Sequence, residues 1–236
     1  MKNRHEFHLF EKGSKKLLFI ATAHALNEFE KEFIEDKVRE FSPDLILLEG
    51  GFNIPTFSNE NEAIKNGKEM GFISYLGRKL EIKLGPNDPT SFEKFYLLVE
   101  KYGFEFTFVF YNLMRWSHNG EFDPDFNNDK FTQKLLNKFH MKEFNFSIEN
   151  FKKEFKKIFL EEFDETKNYY DYFNPFLHLN IFNEAGRYED IFRDGFMLIE
   201  LEKHFSKHKK ILIAKGNGHF GPNIEKIKKL MKRINS

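Results

Sequence analysis

The sequence predicts an α/β fold: a mostly parallel central sheet with an N-terminal hairpin, flanking helices and a helical insertion. Three observations carry this. Short, nearly unbroken apolar runs at 17–20, 45–48 and 211–214 have the length and composition of strands buried on both faces. Helix-like segments with capping residues separate them. The runs come from both ends of a 236-residue chain, with aromatic, helix-patterned sequence between.

Taken in order, His5 to Phe10 and Leu17 to Thr22 read as two strands joined at Lys12-Gly13-Ser14-Lys15, a hairpin. Asn27 stands as an N-cap before a helix over 28–41 with Phe29, Phe33 and Val38 on its apolar face, and Ser42-Pro43 stops it. Asp44 to Glu49 is the next strand, which makes strand, helix and strand a βαβ unit. After Gly50-Gly51 come helices over about 60–70 and 72–78, a strand over 80–84 and the loop Gly85-Pro86-Asn87-Asp88-Pro89. Thr90 or Ser91 then caps a helix to about Tyr102. Residues 106–179 are mostly helical and aromatic, with Ile148, Phe151, Phe155, Ile158, Phe159 and Phe163 at helical spacing. A long helix over 188–205, a strand over 209–214 and a basic helix over 223–234 complete the chain. One domain is expected over 1–236, with an aromatic-rich helical insertion at about 92–186.

Basic and acidic residues balance at 37 each, so no global field draws the chain to nucleic acid or an anionic membrane. The 32 phenylalanines therefore read as core, since no basic groove accompanies them for base stacking. No membrane span and no signal-peptide core are expected. Cysteine is absent, which excludes disulfides, thiol nucleophiles and cysteine metal ligands. The expectation is a soluble, cytoplasmic protein with no nucleic-acid partner, in which any metal is held by His, Asp and Glu.

Three strand-like runs each deliver a proton-active side chain at or just past the carboxyl end: His24, Glu49 and His219. In an open α/β sheet that edge is where ligands bind. If the two strands of the βαβ unit lie side by side, His24 and Glu49 face one crevice, and His219 joins them when the last strand is central. Gly216 and Gly218 would supply a sharp turn there through positive φ. A His/Glu/His set suits a divalent ion such as Zn²⁺, Mn²⁺ or Co²⁺. It equally suits metal-free work, with one histidine as base and the glutamate orienting it.

On the long helix, Glu189, Arg193 and Glu200 share a face. Arg193 either pairs with Glu189 at i,i+4 or enters the crevice to stabilise an oxyanion. Glu28 either lines the crevice or caps its helix. His204 and His208 read as surface residues near a helix carboxyl end. Residues 216–221 match G-x-G-x-x-G, but no βαβ unit with its acidic residue follows, so no nucleotide cofactor is expected.

At these residues the chain resembles the TIKI/TraB/GumN (pheromone-shutdown) superfamily, distantly related to the erythromycin esterase-like and ChaN-like proteins. The first matching motif is Ala21-Thr22-Ala23-His24, with alanine where the family has glycine. The second is Gly216-Asn217-Gly218-His219, followed by Phe220-Gly221-Pro222. Glu49 matches the acidic residue that closes the second core strand, and Arg193 matches the late-helix arginine within Phe192-Arg193-Asp194-Gly195-Phe196-Met197. Asn87-Asp88-Pro89-Thr90 is similar to a further family segment. The match covers residues 17–51, 80–91 and 187–230.

This resemblance implies a hydrolase of peptide or ester bonds with His24, Glu49, Arg193 and His219 as catalytic residues, acting on a small-molecule or peptide substrate. In the TIKI branch the chemistry is metal-dependent, which would make His24, Glu49 and His219 ligands of Mn, Co or Zn. The esterase-like branch implies a metal-free version. The alternative is a non-catalytic ligand- or protein-binding module of the same fold, with the aromatic insertion as the contact to a protein partner.

Overall fold

The computed structural model describes residues 5–23, 26–50, 56–120 and 129–234. Strand β1 (Glu6–Lys12) pairs antiparallel with β2 (Lys15–Thr22) across a turn in which Gly13 takes φ 55°. Helix α1 (Glu28–Phe41) starts at Asn27, whose side chain accepts from the Glu30 amide while the Glu30 carboxylate accepts from the Asn27 amide. That reciprocal capping box assigns the capping to Glu30. Glu28 instead pairs with Lys31 at 2.7 Å.

Strand β3 (Leu45–Leu48) follows, then α2 (Glu60–Lys79). The two helices expected here meet within this element at Lys68, whose φ of 47° and ψ of −136° break the helical geometry. Because α2 runs to Lys79 and Glu81 turns with φ 57°, β4 (Lys83–Pro86) begins three residues later than the apolar pattern suggested. Helix α8 (Ile181–Phe205) likewise begins earlier than expected, because the Asn180 side chain accepts from the Phe182 and Asn183 amides at 2.8 and 3.2 Å. Strand β5 (Lys210–Gly216) leads through a 3-10 turn at Asn217–His219 into α9 (Phe220–Arg233).

The strand order is β1-β2-β5-β3-β4, parallel throughout except for the β1/β2 hairpin. The α/β class with a mostly parallel sheet and N-terminal hairpin is therefore as the sequence implies. One detail differs: β5 lies between β2 and β3, so the strands of the βαβ unit are not neighbours. The condition placed on the last strand, that it be central, is met.

Side-chain alternation splits the strands between two cores. Leu17, Phe19, Leu47 and Ile213 pack with Met197 and Leu201 of α8 and with α9. Leu18, Ile20, Ile46 and Leu212 pack with Val38 of α1 and Phe72 of α2. Both faces are covered, which is why these strands read as continuous apolar runs rather than alternating ones.

The chain divides into two compact units, Met1–Thr90 with Phe192–Ser236, and Ser91–Ile191. The second contains α3 (Ser91–Tyr102), α4 (Phe104–Asn119), α5 (Asp129–Lys138), α6 (Ile148–Phe159), α7 (Tyr170–Phe173) and the first turns of α8. Its centre is aromatic, with Phe95, Phe108, Phe151, Phe155, Tyr169 and Phe182 buried. Many of its rings meet edge to face, as Phe106 and Phe182 do at 4.7 Å and 79°. These phenylalanines are core, and they supply the interior of a unit with no sheet of its own among the described residues.

Candidate active site

Strand alternation decides which side chains emerge at the carboxyl edge on the α8 side. Continuing the Leu45, Leu47 row of β3 by two residues reaches Glu49, and continuing the Ile211, Ile213 row of β5 reaches Lys215. On α8, Arg193 stands four residues before Met197, which itself stands four before Leu201, so all three share one stripe. Met197 and Leu201 pack on the sheet, which carries Arg193 one turn further, over the carboxyl edge.

There Arg193 meets two carboxylates. Its Nε donates to Asp88 Oδ1 and Oδ2 at 2.9 and 3.2 Å, and its Nη2 donates to Glu49 Oε1. Lys215 Nζ donates to Asp88 Oδ1 at 2.8 Å, and Glu49 Oε2 accepts from the Gly216 amide at 2.7 Å. Asn87 fixes the loop that bears Asp88. Its amide donates to Leu48 O, and its side chain donates to Leu47 O and Ala214 O. Lys215 and Asp88 are 0% and 1% exposed, a placement that two opposite charges tolerate only together.

Burial alone would push the Glu49 carboxyl up. The Arg193 guanidinium, then the Lys215 ammonium, outweigh that effect together with His219, and hold the group at about 2, below its ordinary 4.5. Glu49 is thus an ionised carboxylate whose two oxygens face donors.

His219 closes the 3-10 turn, and its Nδ1 lies 2.7 Å from Asp194 Oδ1. Asn223, one turn into α9, donates to the His219 carbonyl at 2.7 Å. A carboxylate can only accept, so this contact favours the tautomer with the proton on Nδ1. Gly216 takes φ −50°, so the turn at this edge is made by 3-10 geometry and not by the positive φ expected of that glycine.

Of the residues expected from sequence, Glu49, Arg193 and His219 all belong to this edge, while His24 lies outside the described residues. Arg193 pairs with Asp88 and Glu49, and Glu189 accepts the Tyr111 hydroxyl at 3.0 Å. Glu200 pairs with Lys203 at 3.0 Å and with His204 at 3.4 Å, and burial lowers the His204 pKa. Asp88, Lys215 and Asp194 have no role in the site expected from sequence. Lys215 carried a usable signal, since a lysine in register with a buried strand row requires a counter-ion. Asp194 carried none beyond its place beside Arg193, because its partner is 25 residues away.

Among the described residues no group of three or more His, Asp and Glu side chains converges as a metal cage. The expected set includes His24, which falls outside them. The donor chemistry at Glu49 does not fit a divalent cation. An ion there would sit beside the Arg193 guanidinium and the Lys215 ammonium, whose positive charges oppose it.

No family model, curated protein or solved structure matches the chain. Among the described residues no helix is long and apolar enough to cross a membrane.

Proposed function

We propose that the protein hydrolyses ester or peptide bonds at the carboxyl edge of its sheet, without requiring a metal on Glu49. The observation that supports this best is the 2.7 Å bond between His219 Nδ1 and Asp194, beside a guanidinium held by two carboxylates. His219 Nε2 takes a proton from water, whose oxygen attacks the carbonyl carbon, and Asp194 stabilises the imidazolium that forms. Arg193 stabilises the negative charge that develops on the carbonyl oxygen. The proton then passes from Nε2 to the leaving oxygen or nitrogen. Glu49 and Asp88 orient the guanidinium, and Lys215 balances the second carboxylate. His24 is the second imidazole of the set that the family resemblance implies. A cysteine-free chain of balanced charge is also proposed to act in the cytoplasm.

The test is hydrolysis of a panel of p-nitrophenyl esters and fluorogenic peptides by wild type, His219→Ala and Asp194→Asn, with and without EDTA. His219→Ala should lower turnover by about a hundredfold or more with unchanged unfolding. The activity should survive EDTA. Activity equal in wild type and His219→Ala would remove the proposal, and loss to EDTA would move it to the metal-dependent form.

A second possibility, a non-catalytic binding module, draws on one observation. Arg193 and Lys215 both have carboxylate partners within the cluster, which could serve to fasten α8 to β3, β5 and the β4 loop. A folded protein inactive on every substrate would favour that role.

A further inference from the structure

Strand β1 is the outermost strand on its side of the sheet, with β2 on one flank and no described segment paired with the other. Such an edge presents unpaired backbone N–H and C=O groups. Exposed apolar side chains surround it: Leu9 is 54% exposed, Phe33 42% and Phe29 75%. Phe33 meets Phe7 edge-on at 4.9 Å, and the Phe29 and Phe33 rings stack at 6.4 Å. The aromatic row of α1 therefore flanks β1 on the face where Phe7 and Leu9 emerge.

We propose that β1 pairs antiparallel with β1 of a second copy of this chain, continuing the sheet across a two-fold axis. Residues opposed in an antiparallel pair face the same side of the sheet, so a symmetric pairing must be centred on a residue. Three centres are available near the middle of EFHLFEK. Centred on His8, Glu6 faces Phe10 and Lys12 falls opposite no described residue. Centred on Phe10, His8 faces Lys12 and Leu9 faces Glu11. Centred on Leu9, all seven residues pair, Leu9 faces Leu9, and Glu6 faces Lys12 twice, once on each side of the axis.

Only the last centre matches opposite charges, and it also brings the Phe29 and Phe33 rows of both copies to one face. Charged edges guard against pairing when their signs repel. Here the signs are self-complementary. The existing contacts of these two side chains are exposed: Glu6 meets His8 at 3.1 Å, and Lys12 reaches the Lys232 carbonyl at the end of α9 at 3.5 Å.

The full chain is tested by sedimentation equilibrium across a wide concentration range, with circular dichroism to verify folding. Wild type should dimerise. Lys12→Glu converts two attractive cross-strand pairs into two repulsive ones and should weaken association by at least about tenfold. Glu6→Lys should do the same, and the double variant Glu6→Lys/Lys12→Glu should restore dimerisation to within about threefold of wild type. Leu9→Lys, which places two like charges on the axis, should abolish it. A wild-type monomer at every concentration overturns the proposal. So does association indifferent to Lys12→Glu, or a folded double variant that fails to recover.

Discussion

Replacing Glu49 with glutamine should flatten the acid limb of the protein's stability curve. In the folded protein burial opposes ionisation of Glu49, yet Arg193 and Lys215 hold its pKa at about 2 against an ordinary 4.5. The native state therefore binds this proton less readily than the unfolded chain does. The stabilisation is complete above the unfolded value and drains away as pH falls toward the folded one. The interval between the two values corresponds to about 3 kcal/mol. The Glu49 side chain is only 16% exposed, so solvent screening takes little from this figure. About 1.5 kcal/mol should be lost by about pH 3.5, and about 2.5 kcal/mol by about pH 2.5. Urea denaturation of wild type and Glu49→Gln at closely spaced pH values from about 6 to about 2.5 measures this directly. The wild-type curve should fall toward the variant's as the carboxylate protonates. Two curves that stay parallel throughout would show that Glu49 ionisation does not contribute, and the electrostatic account of the cluster would fail.

Four further outcomes are expected. Lys215→Met leaves Asp88, 1% exposed, without its ammonium, and should cost about 3–5 kcal/mol by chemical denaturation, with partial recovery on adding Asp88→Asn. Asp194→Asn should keep the unfolding midpoint near wild type while lowering ester or peptide hydrolysis by about a hundredfold or more, because the amide no longer sets the His219 tautomer or stabilises its cation. Gly71→Ala places a Cβ 2.2 Å from the Ala63 carbonyl oxygen and should cost about 1–3 kcal/mol in thermal unfolding. Gly195→Ala, which meets nothing within 4 Å on α8, should be neutral or stabilising by about 0.5–1 kcal/mol.

Part of the site could be read along the chain. Glu49 ends an apolar run whose alternation places it on a defined face, and Arg193 precedes Met197 and Leu201 on a helical stripe. His219 follows a strand at the edge where ligands gather in this fold class. Asp88 stands out in the sequence only through its likeness to a family segment, since nothing local says that the β4 loop is clamped by Asn87 to Leu47 and Ala214. Lys215 stands one residue past the strand expected over 209–214, and only the strand's extension to Gly216 puts it in register with the buried row.

Local periodicity and capping chemistry, both short-range, determined which segments are strands and helices, and with them the α/β class and the N-terminal hairpin. Strand order is a different kind of fact. The insertion of β5 between β2 and β3 depends on how two sheet faces are covered by helices distant in sequence, and no local signal encodes it. Only that order sets Lys215 of β5 beside the β3 end that bears Glu49, within reach of Asp88 past β4, and turns His219 toward Asp194 of α8. Tertiary packing created the cluster, because burying Lys215 and Asp88 is tolerable only with opposite charge beside each, Asp88 beside Lys215 and both Lys215 and Arg193 beside Asp88.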